Sequence, residues 1–258
     1  MVKGLYTAYT GMINQEHRMD VLTNNLANAN TNGYKKEGAT SQSFDSVLTY
    51  KIKDLSEGYH LTRRIGHNNP GVKIGEGYTD FSQGPMKSTG NTFDMALTDS
   101  GFFAVQYTNK AGETSVKYTR DGNFTLTQEG MLVTRDGDAV LDENGQPIVI
   151  DTALETQINL SGQIIQDGNV AATIQVTDFE DYNYLQHFGE NYFVPIEGAA
   201  TKEAAGDIYA GYLESSNISV VSEMVNMIAI QRAYDSNQKV ITTIDGTLDI
   251  SANQLGKL

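Results

Sequence analysis

Two stretches of the chain repeat apolar or small side chains at alternating steps of three and four, one near each end. In the first, Leu5, Ala8, Met12, Gln15, Met19, Leu22, Leu26 and Ala29 fall on one line with a single polar member. An average spacing of 3.5 draws one stripe along a helix and suits a second helix laid against it. Gly4 and Gly11 flank the stripe. Each costs a helix interior about 1 kcal/mol relative to alanine, which is tolerable where another helix approaches closely. The helix is expected from Met1 to about Asn32, and LTNNLANANTNGYKK, Leu22 to Lys36, ends it. Asparagine amides compete for backbone hydrogen bonds, and Asn or Gly33 can take the left-handed conformation that closes a helix. Lys35 and Lys36 suit the negative end of its dipole.

The second stretch, from about Ser219 to Leu258, carries Val220, Met224, Met227, Gln231, Tyr234, Gln238, Ile241, Asp245, Leu248, Ala252 and Leu255 on the same spacing. Val221, Val225 and Ile228 add a second apolar row that widens its early face, and Asn217 or Ser219 can cap its start. Between the stripes the texture changes to Val, Ile, Thr, Tyr and Phe alternating with polar residues from about Thr62 to Tyr212. Asp121-Gly122, Asp136-Gly137, Asn144-Gly145 and Asp167-Gly168 punctuate it as hairpin turns. TRDGNFTL at Thr119 returns as TRDGDAVL at Thr134, as successive turns of a meander would.

The fold class is therefore α+β: long N- and C-terminal helices forming a coiled-coil-like core, with a central antiparallel all-β domain. The expected segments are an N-terminal axial helix and cap (1–36), an extension of unassigned structure (37–80), the β domain (81–210) and a C-terminal axial helix (211–258). Isolated helices draw most of their stability from a packed face. The wide early face of the second helix asks for more than one neighbour, so the ends are expected to be weakly ordered alone and to fold on assembly. An ordinary helical hairpin within one molecule fits the pattern equally well.

Composition narrows the functional classes. The 258 residues carry a net charge of −14, which argues against a nucleic-acid surface and against docking on anionic lipid. There is no cysteine, so disulfides and thiolate metal sites are excluded. MVKGLYTAYTGMINQEHRMD contains no apolar run of secretory length, so no cleaved signal peptide and no membrane insertion are expected.

Catalytic and cofactor signatures do not assemble. Gly75-Glu76-Gly77 lacks the third glycine of a dinucleotide fingerprint, and GPMKSTGNT at Gly84 lacks the Gly-Lys-Ser/Thr of a phosphate loop. His17, His60, His67 and His187 are scattered. Asp136-Gly137-Asp138 with Asp142-Glu143-Asn144-Gly145 has some flavour of a calcium loop, but the ligand order is wrong and turn chemistry explains it. Asn-x-Ser/Thr triplets at Asn123, Asn159 and Asn217 read as chance. No catalytic, cofactor or metal residue is nominated. A hydrolase built on paired carboxylates and a monomeric binding or adhesive module at a cell surface remain as alternatives.

The residues themselves resemble a known family. GLYTAYTGM…DVLTNNLANANTNGYKK resembles the N-terminal signature of the bacterial flagellar rod and hook axial proteins, a helix running into NNLAN-x-x-T-x-G-[YF]-K. Asn24, Asn25, Leu26, Ala27, Asn28, Thr31, Gly33, Tyr34 and Lys35 stand where that pattern wants them. GYLESSNISVVSEMVNMIAIQRAYDSNQKV resembles the C-terminal signature through Gly211, Leu213, Glu214, Ser216, Asn217, Glu223, Met224, Met227, Ile228, Gln231, Arg232, Ala233, Tyr234, Asn237 and Lys239. Ile218 and Asp235 depart mildly. TGNTFDMALTDSGFFAVQ, YTRDGNFTLTQEGMLVTRDGDAVLDENGQPI and DFEDYNYLQHFGENYFVP resemble the family's β domain, and only residues 37–80 fall outside the likeness.

The resemblance implies a structural, non-enzymatic subunit of the flagellar basal body, outside the cytoplasmic membrane and exported without a cleaved signal peptide. Its partners would be copies of itself, neighbouring rod and hook axial proteins, and the flagellar type III export apparatus. The helices would pack as coiled coils lining a hollow, torque-transmitting shaft. One β domain at this length fits a rod member, distal before proximal. The assembly residues would be Leu5, Ala8, Met12, Met19, Leu22, Leu26 and Ala29, the cap residues Asn24, Asn25, Asn28, Gly33 and Tyr34, and, on the second helix, Val220, Met224, Met227, Ile228, Tyr234, Ile241, Leu248 and Leu255.

Overall fold

The computed structural model describes residues 2–51, 63–110, 112–189 and 191–253. His60 and Leu255 lie outside them. The chain divides into two units, one of Met1–Leu26, Glu37–Thr79 and Val220–Leu258, the other of Ala27–Lys36 and Asp80–Ser219. The second unit thus takes in the Asn-rich turn and residues 211–219, which the sequence pattern assigns to the helical ends.

The first unit holds α1 (Val2–Ala27), strands β1 (Lys36–Ser43), β2 (Val47–Lys51), β3 (Arg63–Asn68) and β4 (Val72–Asp80), and α2 (Val220–Asn253). A β-carbon on Gly4 would lie 3.6 Å from Ile244 Cδ1, and one on Gly11 would lie 3.0 Å from Asn237 Nδ2. The two helices therefore run antiparallel, and the glycines sit where the second helix comes close, as expected. The described residues of the extension form two ribbons, β1 with β4 and β2 with β3. Thr40 Oγ1 donates to Glu76 O at 2.9 Å and Phe44 N–H to Gly71 O at 3.0 Å, which sets the first ribbon antiparallel. Its outer face is joined to α1 through Asn14, whose Oδ1 accepts from Ser41 Oγ at 2.8 Å and whose Nδ2 donates to Lys73 O at 3.4 Å.

The second unit is antiparallel β throughout. Its strands are β5 (Met86–Ser88), β6 (Met95–Leu97), β7 (Phe102–Thr108), β8 (Thr114–Thr119), β9 (Phe124–Leu126), β10 (Leu132–Thr134), β11 (Ala139–Val140), β12 (Thr156–Ile158), β13 (Gln163–Gln166), β14 (Asn169–Thr173), β15 (Val176–Phe179), β16 (Leu185–Phe188), β17 (Tyr192–Pro195), β18 (Thr201–Glu203), β19 (Ile208–Ala210) and β20 (Tyr212–Glu214). The main sheet runs β16-β17-β8-β7-β11-β10-β9, with β15 and β18 joined to it through β7. Strand β7 explains the core. Successive side chains point to opposite faces, so Phe103 enters a cluster with Met95, Phe124, Leu132 and Ile164, while Phe102 enters another with Phe179 and Phe193. Both phenylalanines are wholly buried.

Three of the four expected turn pairs are hairpin turns. Asp167-Gly168 has φ of 49° and 79°, the paired left-handed residues of the tightest hairpins, and joins β13 to β14. Gly137 (φ 96°) closes β10 onto β11, and Asn144-Gly145 turns between the bridged Leu141 and Pro147. Asp121-Gly122 differs: it carries the chain from β8 to β9 across the sheet, so the repeated TRDG does not mark two equivalent turns. Gly122 lies in a passage so close that a β-carbon there would collide with the Met95 carbonyl.

Two alanine substitutions separate these roles. Gly122→Ala meets backbone and is expected to lower stability by about 1–3 kcal/mol. Gly145→Ala meets nothing within 4 Å and should cost only about 1 kcal/mol of left-handed strain. Denaturant unfolding of the two variants measures the difference.

Candidate assembly surfaces and a buried junction

The Asn-rich segment ends α1 four to five residues sooner than its pattern suggests, and its side chains turn inward. Asn25 is fully buried and its amide replaces a strand partner: Nδ2 donates to Glu37 O at 2.8 Å and Oδ1 accepts from Glu37 N–H at 3.0 Å. Gly33 (φ 67°) passes so close to Arg120 and Asp121 that a β-carbon would strike their backbone. Its N–H donates to Glu214 O at 2.8 Å, and Asn191 Nδ2 donates to Asn32 O at 2.7 Å.

Beside Gly33 the three motif regions meet. Glu214 Oε1 accepts from Lys35 Nζ at 2.6 Å and from Gly84 N–H at 2.9 Å, and Oε2 faces Arg120 Nη1 at 3.4 Å. Lys35 also donates to Ser82 O at 2.9 Å and Arg120 Nη2 to Asp99 O at 2.7 Å. None of the three charged side chains exceeds 3% exposure. Burial pushes the Lys35 ammonium below its ordinary pKa, while Glu214 acts to hold it up. Asn217 completes the junction, accepting from Lys36 N–H at 2.8 Å and donating to Asp80 O at 2.8 Å.

This corrects two expectations. Lys35 does not serve the helix dipole: its ammonium is held by the Glu214 carboxylate and the Ser82 carbonyl. Asn25, Gly33 and Tyr34, expected at contacts with other subunits, are buried inside the chain's own fold. Asn24 is exposed and Asn28 half-buried, its carbonyl accepting from Thr31 N–H at 3.1 Å. The ionic triad escaped sequence reasoning, although each member lies inside a recognisable motif: NGYKK, TRDGN and GYLESSN.

The helical unit presents the stripes. On α1, Ala8 is buried and Leu5, Met12, Met19, Leu22 and Leu26 are half-buried; Ala29 is half-buried in the turn after the helix. On α2 the covered row is Glu223, Met227, Ile230, Tyr234, Asn237, Ile241 and Ile244. It shares Met227, Tyr234 and Ile241 with the expected row and elsewhere sits one residue over, because Ile230 and Ile244 take inward places that would otherwise go to Gln231 and Asp245. Val220, Met224, Ile228 and Leu248 are exposed. With Val221 and Val225 they leave the first turns of α2 with an uncovered apolar face. Tyr6 and Tyr9, outside the expected stripe, are exposed on α1.

Among the described residues no group of three His, Cys, Asp or Glu side chains could hold a metal, and no helix is long and apolar enough to cross a membrane. Asp142 works as turn chemistry requires, its Oδ1 accepting from Asn144 and Gln146 N–H at 2.9 Å each. His187 stacks edge-on against Tyr34 and Phe193.

Three family models match the chain: "Flagella basal body rod protein" over residues 5–35, "Flagellar hook protein FlgE/F/G D1 domain" over 96–172 and "Flagellar basal body rod FlgEFG protein C-terminal" over 209–255. The flagellar basal-body rod protein FlgG of Buchnera aphidicola subsp. Acyrthosiphon pisum is 32% identical, the alignment covering 96% of this chain and 98% of that one. The flagellar hook-basal body complex protein FlhO of Bacillus subtilis is 32% identical over the whole of both chains. The rod protein FlgF of Caulobacter vibrioides is also 32% identical, over 100% of this chain and 98% of that one.

The junction makes two predictions. Glu214→Gln leaves Lys35 and Arg120 buried without their counter-charge and should cost about 3–5 kcal/mol of stability, read by denaturant unfolding. Asp121, whose carboxyl burial pushes from 3.8 to about 6, holds a proton in the folded chain that the unfolded chain has already released. Stability should therefore fall as pH rises from about 4 to about 6 and stay level above. Asp121→Asn removes that slope, gaining roughly 1–3 kcal/mol at pH 7 and nothing at pH 4.

Proposed function

The chain belongs to the family of flagellar basal-body rod proteins and is a structural subunit of the rod, and we propose that it builds a hollow, torque-transmitting shaft by helical polymerisation with copies of itself. The observation that carries this reading is the apolar face of α2 at Val220, Val221, Met224, Val225 and Ile228, exposed in the single chain. A contiguous apolar face of this kind marks a site of association. Contacts whose rotation does not close generate an open helical filament.

On this reading the helices do two jobs. One face of each is used within the chain, where α1 and α2 run side by side, and the faces left over pack on neighbours as a coiled-coil-like inner layer. The hairpin within one molecule and the contacts between copies, both open from the sequence pattern, are on this reading used together. Neighbouring rod and hook axial proteins continue the shaft at either end. The subunit performs no catalysis, lies outside the cytoplasmic membrane, and reaches that place through the flagellar type III export apparatus without a cleaved signal peptide.

Within the rod we assign the chain to the distal segment, on the fit of one β domain at this length. The proximal segment is the second reading.

Met224→Asp tests the polymer. The side chain is half exposed, so the variant should melt within about 0.5 kcal/mol of the parent yet be missing from isolated basal bodies. Normal incorporation and motility would contradict the reading. Electron micrographs of basal bodies carrying a labelled copy assign the segment, and label confined to the cell surface away from the rod would contradict both assignments.

A further inference from the structure

The helix pair exposes two apolar faces, and they lie towards opposite ends of it. On α1, Tyr6 and Tyr9 are 60% and 49% exposed, followed on the same face by the half-buried Ile13 and then by the exposed acids Glu16 and Asp20. On α2, Val221, Met224, Val225 and Ile228 are 50–73% exposed, followed on that face by the exposed Arg232 and Asp235. Each patch spans the same two turns, Tyr6 to Ile13 and Val221 to Ile228, and each stops at charged residues.

The two cannot meet within one chain. Gly4 is level with Ile244 and Gly11 with Asn237, which puts Tyr9 level with Lys239, two heptads from Val225. Nor does either patch serve a shaft by pairing with itself, since an isologous contact closes a dimer.

Resting on the polymer reading above, we propose that the Tyr6–Ile13 face of one copy docks on the Val221–Ile228 face of the next copy of this chain. Copies related by rotation about, and translation along, one axis keep each helix's direction along it. A neighbour's α1 therefore meets α2 antiparallel, as it does within the chain. Antiparallel alignment of the two patches sets Tyr6 beside Ile228, Tyr9 beside Val225 and Met224, and Ile13 beside Val221. The Met224 thioether against an aromatic ring is a favourable contact in its own right. The offset from the in-chain register is two heptads, so the same faces return, and neighbours are displaced along the helices by about 21 Å. A shift of one heptad would instead move Tyr9 and Tyr6 onto Arg232 and Asp235 and lay Val225 and Val221 against the acids Glu16 and Asp20, burying carboxylates on apolar side chains.

The chain has no cysteine of its own, which makes the register directly measurable. A chain with Tyr9→Cys and Val225→Cys replaces the native copy in cells, and isolated basal bodies are oxidised. A disulfide forms only where the Cα atoms come within about 7 Å. The expected result is a ladder of whole multiples of the chain on a non-reducing gel, with no ladder from the control pair Tyr9→Cys and Arg232→Cys. Rods that form without the first ladder, a ladder from the control pair alone, or bonds to a protein of different mass would overturn the docking while polymerisation stands. Absence of the unaltered chain from rods would remove polymerisation and the docking with it. Should the cysteines themselves block assembly, exchanged charges decide: Tyr9→Lys and Val225→Glu should each cut incorporation at least tenfold and together restore it. No restoration overturns the pairing.

Discussion

A carboxylate with 1% exposure is untenable without compensation, and Glu214 is such a group. Its two oxygens are answered by Lys35, Arg120 and the Gly84 amide. Those partners come from the segment after α1, from the turn before β5, and from the strand-to-strand passage at Asp121-Gly122. Glu214 thus gathers the first and last segments of the β unit at one point. Gly33 and Asn217 follow from the same constraint: one gives the backbone room to pass Arg120, the other ties residues 36, 80 and 217 together. An all-apolar junction would be no less stable. An ionic one allows a single pairing of three segments.

With its ends so held, the β unit is complete in itself, its two aromatic and aliphatic clusters lying on either side of β7. The helical unit leaves apolar side chains uncovered. Ala8 and the two glycines let α2 come close, and Ile230, Tyr234, Ile241 and Ile244 lie on its covered row. The larger apolar side chains of α2's first turns point away from that contact. On the polymer reading, those exposed side chains are where the helices draw further stability from other copies.

How much of this was readable in advance follows from the physics of each part. The helices and three of the four hairpin turns rest on local rules, side-chain period and left-handed residues, and the sequence shows them. The 37–80 extension rests on backbone pairing between polar strands such as KEGATSQS, whose side chains carry no period to read. The covered row of α2 was ambiguous because a 3.5-residue repeat fits two adjacent rows, and only packing chose Ile230 over Gln231. Lys35 looked like a dipole partner because its true partner is far away in sequence, at Glu214. Asn25 and Tyr34 were visible as motif members, but a motif does not say whether its residues face a neighbour or the chain's own interior.

The central claim is that the helices are completed by other copies. Amide hydrogen exchange of the full chain, dilute and then in isolated basal bodies, tests it most directly. The account predicts protected β-unit amides in both samples, with α1 and α2 exchanging at least a hundredfold faster in the dilute chain than in the rod. Helices equally protected in both would contradict it.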